Sequence, residues 1–293
     1  MYTRPTEPRS IGGVLDDGLK LWLASLAKTW PLSLLAQLIV LVPLLVLGYK
    51  LGSVSAVPVA PMRPMSAAST QAMLDLIKSP ATWLTYLGIL VLSALIYTAL
   101  VLRVAAVANG TESSLGGALS SALRLLPRLL AQFLLIIAVA VVVGVALALL
   151  TVAGRMVAGL VFIVLFFVLF YVLGRVFFAS IVLMVDDAGP AESIAISWRL
   201  TKGYWWRCAG ILLVLFIIGL VFSLVVGFIS AAFGGALGAT SLLATGVSQL
   251  ISLLVNTVLG SLYPAVLIAI LYDLKLRKEG GDLLGRVDAL ARQ

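Results

Sequence analysis

Arg175 is the residue of this chain that asks most of its surroundings. It lies in the apolar run YVLGRVFFASIVLMV, ten residues before Val185, which is ~15 Å of helical rise. A cation that far inside a membrane-spanning helix is costly, and it faces the protein interior or a wet cavity, or else it snorkels. Two chemistries fit. In one, Arg175 draws an anion into a polar pocket shared with Tyr171, Asn256 and Tyr263. In the other it is a structural arginine, snorkelling or paired with Asp273 or with backbone carbonyls near Pro264, and this commoner arrangement satisfies the same cost.

A second group, Trp198, Arg199, Trp205, Trp206 and Arg207, combines aromatic and cationic side chains. Such a cluster contacts anionic lipid headgroups, or simply forms the aromatic belt and positive anchor of a span end. Asp186, Asp187 and Glu192 form an acidic cluster beside it. The chain has no histidine, so the usual general base, zinc ligand and haem ligand are missing, and the acidic cluster reads as charge pairing at a helix start. One cysteine, Cys208, rules out an intrachain disulfide and a thiolate metal cluster. No serine or cysteine has a base beside it in sequence, so nucleophilic catalysis lacks support. The expectation is a protein without catalysis, cofactor or metal.

The elements that must position these residues follow from composition. Hydrophobic residues make up 62% of the 293 and charged residues 11%, whereas soluble domains are about a quarter charged. Apolar runs of more than about 18 residues recur, each able to cross a ~30 Å hydrocarbon core as a helix. The fold class is all-α and polytopic, with spans predicted at 31–49, 83–107, 129–152, 157–185, 205–233 and 247–271. These form one integral membrane domain over 1–293: a disordered tail at 1–9, a core at 10–272 and a charged tail at 273–293. Apolar positions in that last tail, Leu283, Leu284, Val287 and Leu290, predict a final surface helix. The first apolar run begins near Ser33, too late for a cleavable signal peptide.

Amphipathic stretches precede three of the spans. Ser10 caps an interfacial helix to Thr29, in which Asp16 and Lys20 form an i,i+4 pair, and Pro31 starts the first span. Thr111 caps a helix over 112–128, and Pro190 is the first residue of a third interfacial helix. Irregular chain is predicted at 52–70, a tight connection at 153–156 and a small-residue loop at 234–246. Gly260, Ser261 and Pro264 make the sixth span the candidate broken helix, and Pro43 is a kink site in the first. Gly227 and Ala231 have the spacing of a small-residue helix contact. The recurrent layout, an amphipathic helix, a basic or aromatic boundary and then two spans, fits a pseudo-threefold repeat of parallel hairpins.

The net charge of +8 sits at span ends, which points to anionic lipid and topology and away from nucleic acid. One side carries Arg4, Arg9, Lys20, Lys28, Arg103, Arg124, Arg128, Arg199, Lys202, Arg207, Lys275, Arg277 and Lys278; the other carries Lys50, Arg63, Lys78 and Arg155. This asymmetry predicts both termini in the cytoplasm.

The run PAESIAISWRLTKGYWWRCAGILL, followed after the last span by LYDLKLRKEG, resembles the bacterial membrane-domain family named after glycerophosphodiester phosphodiesterases. The opening IGGVLDDGLKLW fits the same pattern, so the resemblance covers nearly the whole chain. It implies an inner-membrane location and a non-catalytic part in envelope or lipid maintenance, and it assigns no functional residues. In some members a soluble phosphodiesterase domain follows the membrane region; without histidine that activity is not expected here. The resulting expectation is an accessory or scaffold protein acting on lipids, on a membrane-protein partner or on a second copy of itself. The rival is a transporter or channel for a small anionic or amphipathic substrate centred near Arg175. Topology is directly testable in a Cys208→Ala background: Ser66→Cys should react with an impermeant maleimide added outside intact cells, and Ser114→Cys should not. The reverse pattern would invert the orientation.

Overall fold

The structure, a computed structural model, describes residues 2–50, 71, 75, 78–151, 167–169, 171–172, 174–237 and 242–291. The elements are α1 (Ile11–Lys50), α2 (Pro80–Ala108), α3 (Leu115–Thr151), α4 (Ala179–Asp186), α5 (Pro190–Thr201), α6 (Trp205–Leu237), α7 (Leu242–Leu259) and α8 (Leu262–Ala291). No strand occurs among the described residues. Six helical segments are long and apolar enough to cross a membrane: Ile11–Leu41, Pro80–Ala108, Leu115–Val145, Phe167–Asp186, Trp205–Phe233 and Gly246–Lys278. The protein is a multi-pass α-helical membrane protein.

Three expected boundaries are absent. The first interfacial helix and first span are one helix of 40 residues with Pro31 and Pro43 inside it. At ~1.5 Å per residue it is twice as long as the hydrocarbon is thick. Proline removes one N–H of the helix ladder, and a membrane helix continues through it where neighbouring helices pack both halves; ahead of Pro31, Ser25 and Thr29 donate hydroxyls to the carbonyls of Trp22 and Ser25, each at 3.0 Å. Likewise 112–128 and the third span merge into α3, with Pro127 inside. Here Ser114 is the cap, its hydroxyl accepting the Gly117 N–H at 3.0 Å, while Thr111 turns back to donate to the Ala106 carbonyl at the end of α2. The last span and the tail are also continuous as α8. The predicted loop at 234–246 is largely helical, since α6 reaches Leu237 and α7 starts at Leu242. Gly227 meets nothing within 4 Å, so it makes no helix contact among the described residues. Ser10, Pro190 and the Asp16–Lys20 pair at 2.6 Å are as expected, and the sixth span breaks at Gly260–Ser261. The predictions for 52–70 and 153–156, and for the side chains of Leu283, Leu284, Val287 and Leu290, lie outside the described residues.

The core is α8. The span it shares with α7 is the most buried of the six, whereas those of α3 and α6 are the most exposed. Every residue from 264 to 274 is buried, and a helix apolar on all sides belongs in the middle of a bundle. α1, α2, α4, α5 and α7 pack around it. α1 comes closest: a Cβ on Gly18 would stand 2.8 Å from Val266 Cγ2 and 3.0 Å from its Cα, so glycine lets the two backbones meet.

At the end of this buried run sits Asp273, 5% exposed. Its carboxylate accepts from Arg207 Nε at 3.1 Å, from Arg277 Nε at 3.0 Å and from the Arg9 backbone N–H at 2.9 Å. Both arginines also donate to the Arg9 carbonyl. The N-terminal segment is therefore strapped across the bundle: Arg4 lies 4.0 Å over the Tyr272 ring, and Tyr2 is packed against the core. Burial, reinforced by Asp17 and Tyr272, pushes the Tyr2 phenol up to about 12 and holds it neutral. Removing one partner of a buried ion pair strands the other and costs about 3–5 kcal/mol. Asp273→Ala should destabilise the fold by that order, read as a fall in the thermal unfolding midpoint in nanodiscs. An unchanged midpoint would show that the pairs contribute nothing.

Candidate anion-binding site

Arg175 is held by the return of the chain on itself. The helical residues 174–176 lead through a turn at Phe177–Phe178 into α4. Asp187, in the left-handed region at φ 53°, then reverses the direction. Gly189 N–H donates to the Glu192 carboxylate at 3.2 Å and starts α5 behind Pro190. Gln132 of α3, fully buried, donates to Ser193 Oγ at 3.0 Å and accepts from Ser180 Oγ at 3.2 Å, fastening α4 and α5 side by side. The far end of α5 thus reaches Arg175: Ser197 Oγ donates to the Arg175 carbonyl at 2.6 Å. Gly203, at φ +89°, makes the left-handed turn that sends the chain into α6.

This closes an aromatic box around the guanidinium. Its carbon lies 4.8 Å from the Tyr171 ring centroid and 5.3 Å from that of Trp198. Nη2 donates to the Tyr171 hydroxyl and Nη1 to the Trp198 carbonyl at 3.4 Å. Nε has no hydrogen-bond partner among the described residues. Trp205 covers Gly174 so closely that a Cβ there would lie 2.5 Å from its Nε1. A cleft of about 520 Å³ remains, lined by Phe167, Tyr171, Arg175, Gly203, Trp205 and Trp206; Trp206 is 83% exposed.

Arg175 is 7% exposed, and no carboxylate pairs with it among the described residues. Cation–π contacts supply ~0.5–2 kcal/mol each, less than the several kcal/mol of burying a cation. The site keeps unspent attraction for an anion. Its depth is also smaller than the sequence count implies. The exposed residues Arg199, Lys202 and Trp206 stand at the same α5–α6 turn, and that composition marks a membrane–water boundary.

The four-residue polar site expected from the sequence is not assembled. Tyr171 joins Arg175, whereas Asn256 and Tyr263 line a separate groove of about 660 Å³ between α6 and α7–α8. There Asn256 donates to the Ser252 carbonyl at 2.7 Å, and Tyr263 meets Phe177 edge-on at 6.3 Å. The reason is orientation: Arg175 faces α5, while Phe177 faces α8. Nor does Arg175 pair with Asp273, which Arg207 and Arg277 occupy. Of the aromatic–basic cluster, Trp198, Trp205 and Trp206 surround the cleft or Arg175 itself, and Arg199 is exposed beside the turn. Arg207 is turned away into the Asp273 cluster. The acidic trio is dispersed among Lys275, Arg128 and the Gly189 N–H.

Two features escaped the sequence reading. Gln132 was a single polar residue in an apolar run, the one signal that could have marked it. Arg103, counted only as a span-end charge, is 8% exposed, with Nε and Nη1 lacking partners among the described residues.

Fold and site together describe a multi-pass α-helical membrane protein with an arginine–aromatic cleft beside an interfacial helix. The chain belongs to the family described as a domain of unknown function, DUF7847, which matches residues 23–274. No curated protein and no solved structure matches it.

Proposed function

We propose that this is a non-catalytic protein of the bacterial inner membrane, with both termini in the cytoplasm, that binds anionic lipid headgroups at Arg175 in support of envelope or lipid maintenance. The observation that carries this reading is a buried guanidinium without a carboxylate, opening onto a cleft walled by Tyr171, Trp205 and Trp206. A phosphate in that cleft supplies the missing counter-charge through charge-assisted hydrogen bonds, and the aromatic walls accept the glycerol and upper acyl region. The exposed apolar faces of α3 and α6 offer contact to lipid, a membrane-protein partner or a second copy of the chain. The absence of histidine and the resemblance noted above both favour a role without chemistry. The break in the sixth span at Gly260–Ser261 favours a second reading, transport of a small anionic or amphipathic substrate, because transporters place sites at interrupted helices.

The test compares unfolding midpoints in phosphatidylcholine nanodiscs with and without phosphatidylglycerol. Wild type should gain several degrees from the anionic lipid, and Arg175→Met should lose that gain. Trp206→Ala, an exposed change that leaves the core intact, should weaken it. An undiminished gain in both variants would place lipid binding elsewhere.

A further inference from the structure

The break in the sixth span holds two buried hydroxyls that have no hydrogen-bond partner among the described residues. α7 ends at Leu259, Gly260 and Ser261 form a turn, and α8 starts at Leu262. Asp273 lies twelve positions after Ser261, ~18 Å of helix, so the break lies well inside a ~30 Å hydrocarbon layer. Pro264 has no N–H to offer the Gly260 carbonyl, which an unbroken helix would have bonded. Ser261 is 0% and Ser33 1% exposed, and neither hydroxyl has a hydrogen-bond partner among the described residues. Ser33 is pressed against the turn: a Cβ on Gly260 would stand 3.0 Å from Ser33 Oγ and 3.1 Å from the Asn256 carbonyl oxygen. The break also lies at the C-terminal, partially negative end of α7.

Buried polar groups are normally paired, and each exception calls for a ligand or another explanation. The donors here are uncharged oxygens without a carboxylate among them. Divalent cations in proteins draw on carboxylates, whereas unwound carbonyls and helix C-termini in membranes hold monovalent cations. We propose that the Gly260–Ser261 break is a sodium site whose ligands are drawn from Ser33 Oγ, Ser261 Oγ and the Gly260 carbonyl. Trp22 steadies it from α1, donating through Nε1 to the Val258 carbonyl at 3.0 Å. The site stands apart from the Arg175 cleft and does not depend on what that cleft binds.

The experiment follows the unfolding midpoint of the full chain in phosphatidylcholine nanodiscs as NaCl replaces choline chloride at constant ionic strength. Specific binding stabilises the folded state by mass action, so the midpoint should climb saturably with sodium, and KCl should do less. Ser261→Ala and Ser33→Ala should each raise the half-saturating sodium concentration at least tenfold. Arg175→Met should leave the sodium response intact, which separates this site from the headgroup reading. Binding of radioactive sodium to wild type, competed by unlabelled NaCl but not by choline chloride, gives a readout that needs no variant. A midpoint equally insensitive to sodium and choline, with no competable radioactive sodium, would overturn the proposal and leave a buried water as the partner of these hydroxyls.

Discussion

A charge removed from water must be met by the protein, and Asp273 and Arg175, two of the buried charges among the described residues, are met very differently. Asp273 lies at the end of the most deeply buried helix and receives two guanidinium groups and a backbone N–H. Everything at that end depends on the arrangement. It joins the start of α6 to α8 and pins the N-terminal segment over both; two further ion pairs, Asp186–Lys275 and Asp187–Arg128, fix the α4–α5 turn to α8 and α3. Arg175 is nearly as buried as Asp273, yet among the described residues it receives only aromatic faces, a phenol and one carbonyl. The first arrangement is closed and structural. The second is open, and that difference in compensation separates scaffold from site.

Packing follows the same division. α8 and the facing parts of α1, α2 and α4 form a continuous core, while α6 from Phe216 to Ile229 and α3 beyond Gln132 are largely exposed apolar surface. In a bilayer such surface costs nothing, because lipid tails are as apolar as the side chains. The bundle therefore needs its polar fasteners. Gln132 with Ser180 and Ser193 holds α5 against α4, and α5 in turn delivers Trp198 to Arg175. The cleft is only as well formed as that chain of contacts.

Much of this was legible in the sequence. Six apolar runs, the cap at Ser10, the helix start at Pro190 and the break before Pro264 each have a local cause, in side-chain length, missing N–H groups or backbone freedom. What failed was the reading of a helix boundary at Pro31 and between Arg128 and Leu129. Continuation of those helices depends on neighbours that pack both halves, which is tertiary information. The partner of each charge was equally hidden. Whether Arg207 binds lipid or Asp273 depends on the direction in which α6 leaves Gly203. The tail of residues 2–9, polar and proline-containing, looked disordered because its anchor lies 264 residues away at Asp273.

The claim that most needs direct measurement is that Arg175 lacks a protein counter-ion and takes a lipid phosphate in its place. Solid-state NMR on ¹⁵N-arginine-labelled protein in phosphatidylglycerol bilayers reads the distance from guanidinium nitrogen to phosphorus, with Arg175→Met assigning the signal. A charge-assisted contact places them about 4 Å apart, so phosphorus should dephase a guanidinium resonance that the variant lacks. A spectrum in which no dephased signal is lost in the variant would contradict the account.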